Sequence, residues 1–177
     1  MAQLTLPVNP ARDHFQGFAD APVTLVEYGD YECPHCGRAH PIVRAVQQAM
    51  GDQLRFVFRN FPLSEMHPHA NHAAQASESA AAQGVFWEMH HALFTHQSDL
   101  SDNGIKTLAT QVGVDPEKTI SEILMGKHEP KVKEDFLSGV RSGVNGTPTF
   151  FINGVRFDDS WDEETLLKAL QKAAEGE

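Results

Sequence analysis

Basic residues are scarce in this chain. Its 177 residues include 14 Lys and Arg but 24 Asp and Glu, which gives a formal net charge of -10 at pH 7. Binding to a nucleic-acid backbone requires clustered Lys and Arg side chains that neutralise phosphates, and the sequence has no such cluster. We therefore expect no nucleic-acid partner.

Long apolar runs are also missing. No stretch approaches the roughly 18 consecutive apolar residues of a membrane-spanning helix, so no membrane insertion is expected. Residues 1–10 have neither a basic start nor the apolar run of a secretory signal. The sequence as written therefore predicts a cytoplasmic protein. A periplasmic or other extracytoplasmic location is the alternative if the chain is a processed form.

Cysteine is rare as well, and its two copies lie close together in the segment Cys33-Pro34-His35-Cys36. This segment has the features of a helix start. In a helix, both sulfur atoms lie on one face about one turn apart, and their Cα atoms fall within the roughly 4.4–6.8 Å that a disulfide requires. The pair can therefore form and break a disulfide without moving the backbone.

The position of Cys33 predicts a stabilised thiolate. At a helix N-cap, unpaired backbone N–H groups and the positive end of the helix dipole favour an anion. Pro34 suits the first helical position, and a partly protonated His35 lowers the thiol pKa further. Such thiolates have pKa values down to about 3.5, against about 8.5 for free cysteine. The largest shift favours the reduced form at pH 7 by roughly 5 kcal/mol, or about 100 mV, which is typical of a disulfide donor.

Two alternatives remain open on these four residues alone. The spacing can arise by chance, and two cysteines so spaced also provide half of a zinc site. A zinc finger would place its histidines closer than the roughly 30 residues that intervene here, so redox chemistry is favoured. The histidines available as the remaining ligands are His67, His69 and His72, or His90, His91 and His96.

Glu27 is an anomaly in a predicted strand. Residues 23–28 are rich in β-forming residues and nearly continuous in apolar character, which is typical of a buried central strand. A buried carboxylate costs several kcal/mol unless it is paired or protonated. Glu27 therefore either faces solvent or takes up the proton that Cys36 loses when it attacks a mixed disulfide.

The other predicted elements follow in order. Residues 1–20 are expected to be an extended lead-in, and a helix containing a kink at Pro41 runs from Cys33 to about Met50. An alternating strand at 54–59 is predicted to lie parallel to the first strand. Five short helices follow, with apolar core residues on the second and with Asp115 as the N-cap of the fourth. The last of these helices is predicted from about residue 130 to 137.

The β signal returns near the end of the chain. Pro148 belongs at the first position of a strand or in a cis turn. Asn153-Gly154 predicts a type I′ turn in a β-hairpin. A capping box from Ser160 to Glu163 is predicted to open the final helix. This order predicts an α/β protein with a thioredoxin fold, β-α-β … β-β-α, and a helical insertion domain.

Four segments carry a specific family resemblance, and together they span nearly the whole chain in order. They are EYGDYECPHCGRAHP at 27–41, FRNFP at 58–62, QGVFWEMH at 83–90 and GTPTFFING at 146–154. With these segments the chain resembles the DsbA-like thiol:disulfide oxidoreductases of the thioredoxin superfamily. The resemblance implies a thioredoxin-like core at 1–61 and 144–177 and a helical insertion domain at 62–143.

The resemblance also implies roles for individual residues. Cys33 becomes the nucleophile and Cys36 the resolving cysteine, and Glu27 falls at the position of a buried acid in the family. Thr147 and Pro148 are joined by a cis peptide bond beside the disulfide, where the backbone holds a polypeptide as an added strand. The implied partners are cysteine-containing polypeptides and a thiol redox partner, and we expect no cofactor.

The sequence contains indications for both directions of electron flow. Pro34-His35 is the dipeptide of strongly oxidising family members, which favours a disulfide donor. Thr147 before the proline resembles isomerase- or reductase-type relatives, and the lack of a signal suggests a reducing cytosol. A cytoplasmic disulfide reductase or isomerase is therefore the alternative within the family. A non-catalytic zinc-binding module and a redox-inert protein-binding domain remain the alternatives outside it.

Overall fold

The computed structural model describes residues 1–176, which form five strands and seven α-helices. The strands are β1 (His14–Gln16), β2 (Val23–Gly29), β3 (Leu54–Asn60), β4 (Thr149–Ile152) and β5 (Val155–Phe157). The helices are α1 (Pro34–Met50), α2 (Ala70–Ala82), α3 (Phe86–Thr95), α4 (Asp102–Val112), α5 (Pro116–Leu124), α6 (Glu129–Arg141) and α7 (Glu163–Ala174). A short 3-10 helix, Gly51–Gln53, joins α1 to β3. This is the predicted thioredoxin fold with a helical insertion.

The strands form one sheet in the order β1-β3-β2-β4-β5. Strand β4 pairs antiparallel with both β2 and β5, and β1 pairs antiparallel with β3. The sequence does not signal β1, because three residues are too few to establish a periodic pattern. The alternation predicted for β3 is wrong, since only Arg55 in it is not fully buried. Strand β2 is buried in the same way apart from Thr24, as expected for central strands.

The predicted hairpin is confirmed. Ile152 pairs with Val155, so Asn153 and Gly154 form a two-residue loop. Both loop residues have positive φ angles, 47° and 84°, as a type I′ turn requires.

The capping box predicted for the last helix is wrong. The N-cap of α7 is Asp162, whose Oδ1 accepts a hydrogen bond from the Thr165 N–H at 2.9 Å. The Ser160 hydroxyl instead donates to the other Asp162 carboxylate oxygen at 2.6 Å. This hydrogen bond and those from Thr165 lower the pKa of Asp162 to about 2. A carboxylate is the stronger acceptor for the backbone N–H groups at the helix start, and Ser160 supports it.

The described chain groups into two compact units. The first contains residues 1–29, 38–59 and those from 137 onward, and the second contains residues 30–37 and 60–136. In the first unit, α1 buries Ala39, Val43, Val46 and Met50, which recur at helical spacing. The boundaries 1–61, 62–143 and 144–177 remain a prediction of the domain organisation.

The second unit contains helices α2 to α5 and the first part of α6, and the five helices predicted for this stretch are present. Its buried apolar residues include Ala76, Ile105, Ile120 and Ile123, which form one cluster. Asp115 is the N-cap of α5, as expected, and its carboxylate accepts hydrogen bonds from the next two backbone N–H groups after Pro116. The apolar residues predicted to form the core face of α3 are buried, namely Phe86, Met89, Leu93 and Phe94. The last helix of the block is longer than predicted and extends to Arg141.

Candidate active site

The two cysteines lie at the start of α1. The Cys33 carbonyl accepts a hydrogen bond from the Gly37 N–H at 3.0 Å, which is the first hydrogen bond of the helix. Cys33 therefore occupies the N-cap position and Cys36 lies in the first turn. The two cysteines are not bonded to each other, and both are buried, Cys33 at 3% exposure. Pro34 and His35 between them are exposed.

The backbone of Asp30 contacts both cysteines. Its carbonyl accepts a hydrogen bond from the Cys33 N–H at 3.1 Å, and its own N–H donates to Cys36 Sγ at 3.5 Å. A donor directed at sulfur stabilises the thiolate over the thiol. The arrangement therefore favours Cys36 as a leaving group when the disulfide opens.

The buried carboxylate of Asp30 holds this backbone in place. It accepts hydrogen bonds from the Glu32 N–H at 2.8 Å, the Leu63 N–H at 2.9 Å and His67 Nδ1 at 2.8 Å. The first of these is an Asx turn, which an Asp two residues before Glu32 can signal in a sequence. The contacts to Leu63 and His67 come from more than 30 residues away, and no local pattern predicts them.

Gln97 is a second residue that the sequence did not single out. It lies in the segment between α3 and α4, and its side-chain amide Nε2 donates to the carbonyl of Tyr31 at 2.9 Å and to that of Cys33 at 2.8 Å. A Cβ atom on Gly37 would overlap the Gln97 side-chain amide. The first turn of α1 is therefore in contact with this amide from outside the helix.

Three histidines of the zinc alternative, His67, His72 and His90, have hydrogen-bond partners in the structure. His90 is buried, and its Nδ1 forms a 2.8 Å hydrogen bond with the Tyr31 hydroxyl. His67 bonds to Asp30, and His72 Nδ1 bonds to Asp102 at 2.8 Å. Among residues 1–176, no group of three or more His, Cys, Asp or Glu side chains is arranged to hold a metal ion.

Glu27 lies in the first unit and is buried at 2% exposure, so the solvent-facing alternative is wrong. It pairs with Phe150 across the β2-β4 ladder. Its Oε2 lies 2.8 Å from the point where a Cβ on Gly29 would stand, so the residue at 29 must be small. The site role predicted for Glu27 remains a proposal.

Thr147 and Pro148 also lie in the first unit, directly before β4. The peptide bond between them is cis, and both residues are half-buried. The Thr149 hydroxyl donates to the Gly146 carbonyl at 2.7 Å, which closes the turn around them. Pro148 and Trp161 help to line a cavity of about 250 Å³.

Comparison with known proteins first defines the class. A family model described as Thioredoxin matches residues 10–172. Oxidised BdbD from Bacillus subtilis superposes with a TM-score of 0.87, is 24% identical, and is covered over 100% of its chain and 99% of this one. A thioredoxin-like oxidoreductase from Silicibacter pomeroyi gives 0.83 and 26%, with 94% of each chain covered. Wolbachia pipientis alpha-DsbA1 gives 0.81 and 20%, covering 98% of this chain and 95% of that chain.

These similarities show a protein with the thioredoxin fold and an added set of helices. The chain belongs to the Thioredoxin family, whose model matches it over residues 10–172, and its fold is similar to those of BdbD and alpha-DsbA1.

The curated relatives carry a different name. The Na(+)/H(+) antiporter NhaA 1 of Mycobacterium sp. strain KMS is 45% identical over 170 residues, which are 95% of this chain and 28% of that protein. NhaA 1 of Salinispora arenicola is 41% identical over 173 residues, which are 98% of this chain and 26% of that protein. The chain thus spans about a quarter of the length of these relatives. No helix within residues 1–176 has the length and apolar character needed to cross a membrane.

Proposed function

We propose that this chain exchanges a Cys33-Cys36 disulfide with cysteines of substrate proteins and acts as a disulfide donor. The main support for this proposal is the placement of the two cysteines at the start of α1. Cys33 is at the N-cap, and the Asp30 N–H is directed at Cys36 Sγ. This placement supports a thiolate at both stages of the exchange.

In the donor direction, a substrate thiolate attacks Cys33 Sγ of the disulfide. The S–S bond breaks, Cys36 leaves as a thiolate, and the substrate becomes linked to Cys33. A second substrate thiolate then attacks the substrate sulfur of this mixed disulfide and releases Cys33 as a thiolate. The substrate dithiol loses two electrons and two protons, the Cys33-Cys36 pair gains the two electrons, and the protons go to the pair or to solvent.

Glu27 is proposed as the proton acceptor for Cys36 in the reverse, reductive direction. Its burial supports this role, because a carboxylate that is shielded from water lacks full solvation and is stabilised when it takes up a proton. Replacement by Gln removes the acceptor and keeps the size of the side chain. We expect Glu27→Gln to slow resolution of a mixed disulfide by Cys36 without slowing the initial attack by Cys33.

Thr147 and Pro148 are proposed as the peptide-binding residues. Proline has no N–H group, and at a strand start it leaves the neighbouring backbone groups available to an incoming chain. Main-chain hydrogen bonds of this kind give contact without selectivity for sequence. The proposed substrates are therefore polypeptides that contain cysteine, of varied sequence, and a separate thiol redox partner restores the disulfide.

The experiment that tests the proposal measures oxidation of a dithiol peptide by the oxidised protein. We expect the parent to oxidise one peptide per disulfide, the Cys33→Ser variant to be inactive, and the Cys36→Ser variant to accumulate a mixed disulfide when it is offered an oxidised peptide. A Cys33→Ser variant that still catalyses dithiol oxidation would refute the assignment of the nucleophile. Equal metal content before and after Cys36→Ser would exclude a zinc module independently.

A further inference from the structure

The Gln97 side chain reaches the Cys33 carbonyl from outside α1. Both hydrogen atoms of its amide group are directed at carbonyl oxygens, one of Tyr31 and one of Cys33, at 2.9 and 2.8 Å. The Cys33 carbonyl belongs to the peptide unit that directly follows the Cys33 Cα, and the Tyr31 carbonyl lies two residues earlier in the chain. The Cys33 carbonyl also accepts the Gly37 N–H, so a single oxygen joins the helix to the Gln97 amide.

Gly37 fits this arrangement because it has no side chain. Its φ angle is not in the left-handed region, so backbone conformation does not require glycine here. In the interior of a helix, glycine is less favourable than alanine by about 1 kcal/mol. A Cβ at this position would overlap the Oε1 atom of Gln97, and the flexible amide would have to move away. Glycine therefore leaves the space that the Gln97 amide occupies.

We propose that Gln97 is the positioning residue for Cys33, and that Gly37 is glycine in order to admit its amide. The inference rests on the proposed function, since it identifies what holds that reaction's nucleophile. The amide fixes the turn from Tyr31 to Cys33, which keeps the Cys33 side chain at the helix N-terminus where backbone N–H groups stabilise its thiolate. Its N–H dipoles also place partial positive charge in the same turn.

A double-mutant cycle tests this proposal. The measured quantity is the rate at which reduced Cys33, identified by peptide mapping, is alkylated across a pH series. We expect Gln97→Ala to move the midpoint of the profile to higher pH by about 0.5 unit or more, which is roughly a threefold loss of thiolate at low pH. We expect Gly37→Ala to produce a similar shift, because the new methyl group displaces the amide.

The double variant, with both Gly37→Ala and Gln97→Ala, tests whether Gly37 acts through the Gln97 amide. If Gly37 acts only by admitting the amide, Gly37→Ala in the Gln97→Ala background should cause no further shift. In that background it should also raise stability, because only the helix preference of alanine remains. Shifts that add in full would overturn the proposal, as would an unchanged profile in Gln97→Ala.

Two further variants separate positioning from loss of structure. Gln97→Glu keeps the shape of the side chain but replaces the donor with an oxygen and adds negative charge, so it should move the midpoint further than Gln97→Ala. Gln83→Ala is the matched control, because Gln83 is also half-buried in the helical unit and its amide also donates to a carbonyl, that of Ser79. It should leave the profile unchanged, and an equal shift in Gln83→Ala would overturn the proposal.

The pH profile of the parent protein distinguishes a failure of this proposal from a failure of the proposed function. A parent in which Cys33 ionises no more readily than free cysteine would overturn both. A parent with a readily ionised Cys33, together with Gln97 variants that match it, would overturn only the role of Gln97.

Discussion

Individual buried charges are held by specific partners in this molecule. Arg59 is fully buried, and its guanidinium donates two hydrogen bonds of 2.9 Å to the carboxylate of Asp13 and one of 2.9 Å to the Tyr28 hydroxyl. Burial raises the pKa of Asp13, but the hydrogen bond and charge of Arg59 outweigh this effect and hold that pKa below its usual value. Arg12 also contacts the same carboxylate at 2.7 Å.

Removal of one partner should therefore be costly. We expect Arg59→Met to lower the free energy of unfolding by about 3 kcal/mol, at the low end of values for broken buried pairs because Arg12 remains. Urea denaturation measures this loss, and Arg55→Met on the same strand is a control that should lose much less, since Arg55 is only half-buried. A loss of equal size in the two variants would contradict the assignment.

The same pair predicts a pH dependence. Because the pKa of Asp13 is lowered in the folded state, its contribution to stability is present above the unfolded value of about 3.9 and is lost as the pH falls through the folded value. The difference in unfolding free energy between the parent and Arg59→Met should thus be constant from about pH 5 upward and shrink in more acidic buffers. A difference that grows on acidification would show the opposite linkage.

At the start of a helix, two neighbouring side chains can compete to accept hydrogen bonds from the same free backbone N–H groups, and the start of α7 is an example. At the start of α7, both Ser160 and Asp162 are suitable N-caps by residue type, and spacing favours Ser160 because Glu163 follows it at the capping-box distance. The structure gives the position to Asp162, with Ser160 as its hydrogen-bond partner.

This assignment predicts an order of effects. Asp162→Ala should lower the thermal unfolding midpoint more than Ser160→Ala, because the first removes the acceptor for the Thr165 N–H and the second removes only its support. Both variants are measured by circular dichroism near neutral pH, where the carboxylate is ionised. If Ser160→Ala has the larger effect, the N-cap is Ser160 and the capping box was correct.

Across the whole molecule, features set by local sequence were predictable and features set by distant contacts were not. The Asn153-Gly154 turn and the Asp115 N-cap are specified by neighbouring residues, and both were predicted. Strand β1 exists because it pairs with β3, and its three residues carry no signal of their own. The cysteine pair was found from its spacing, but Gln97 reaches Tyr31 and Cys33 from 66 and 64 residues away along the chain.

The sequence alone also cannot predict which polar side chains of the site are buried. Glu27 was recognised as an anomaly in a strand, but only the fold distinguishes a buried carboxylate from an exposed one. His67 and His90 were candidates for a metal because of residue type. In the structure their rings bond to Asp30 and Tyr31, which precede the cysteines in the same segment.

The equilibrium reduction potential of the Cys33-Cys36 pair, titrated in glutathione buffers, tests the central claim most directly. A disulfide donor with a stabilised Cys33 thiolate should show one two-electron transition at a potential clearly above that of the glutathione pool, which is about -240 mV. A transition near the thioredoxin value of about -270 mV or below would contradict the donor assignment and favour a reductase. The absence of any transition would contradict the redox function itself.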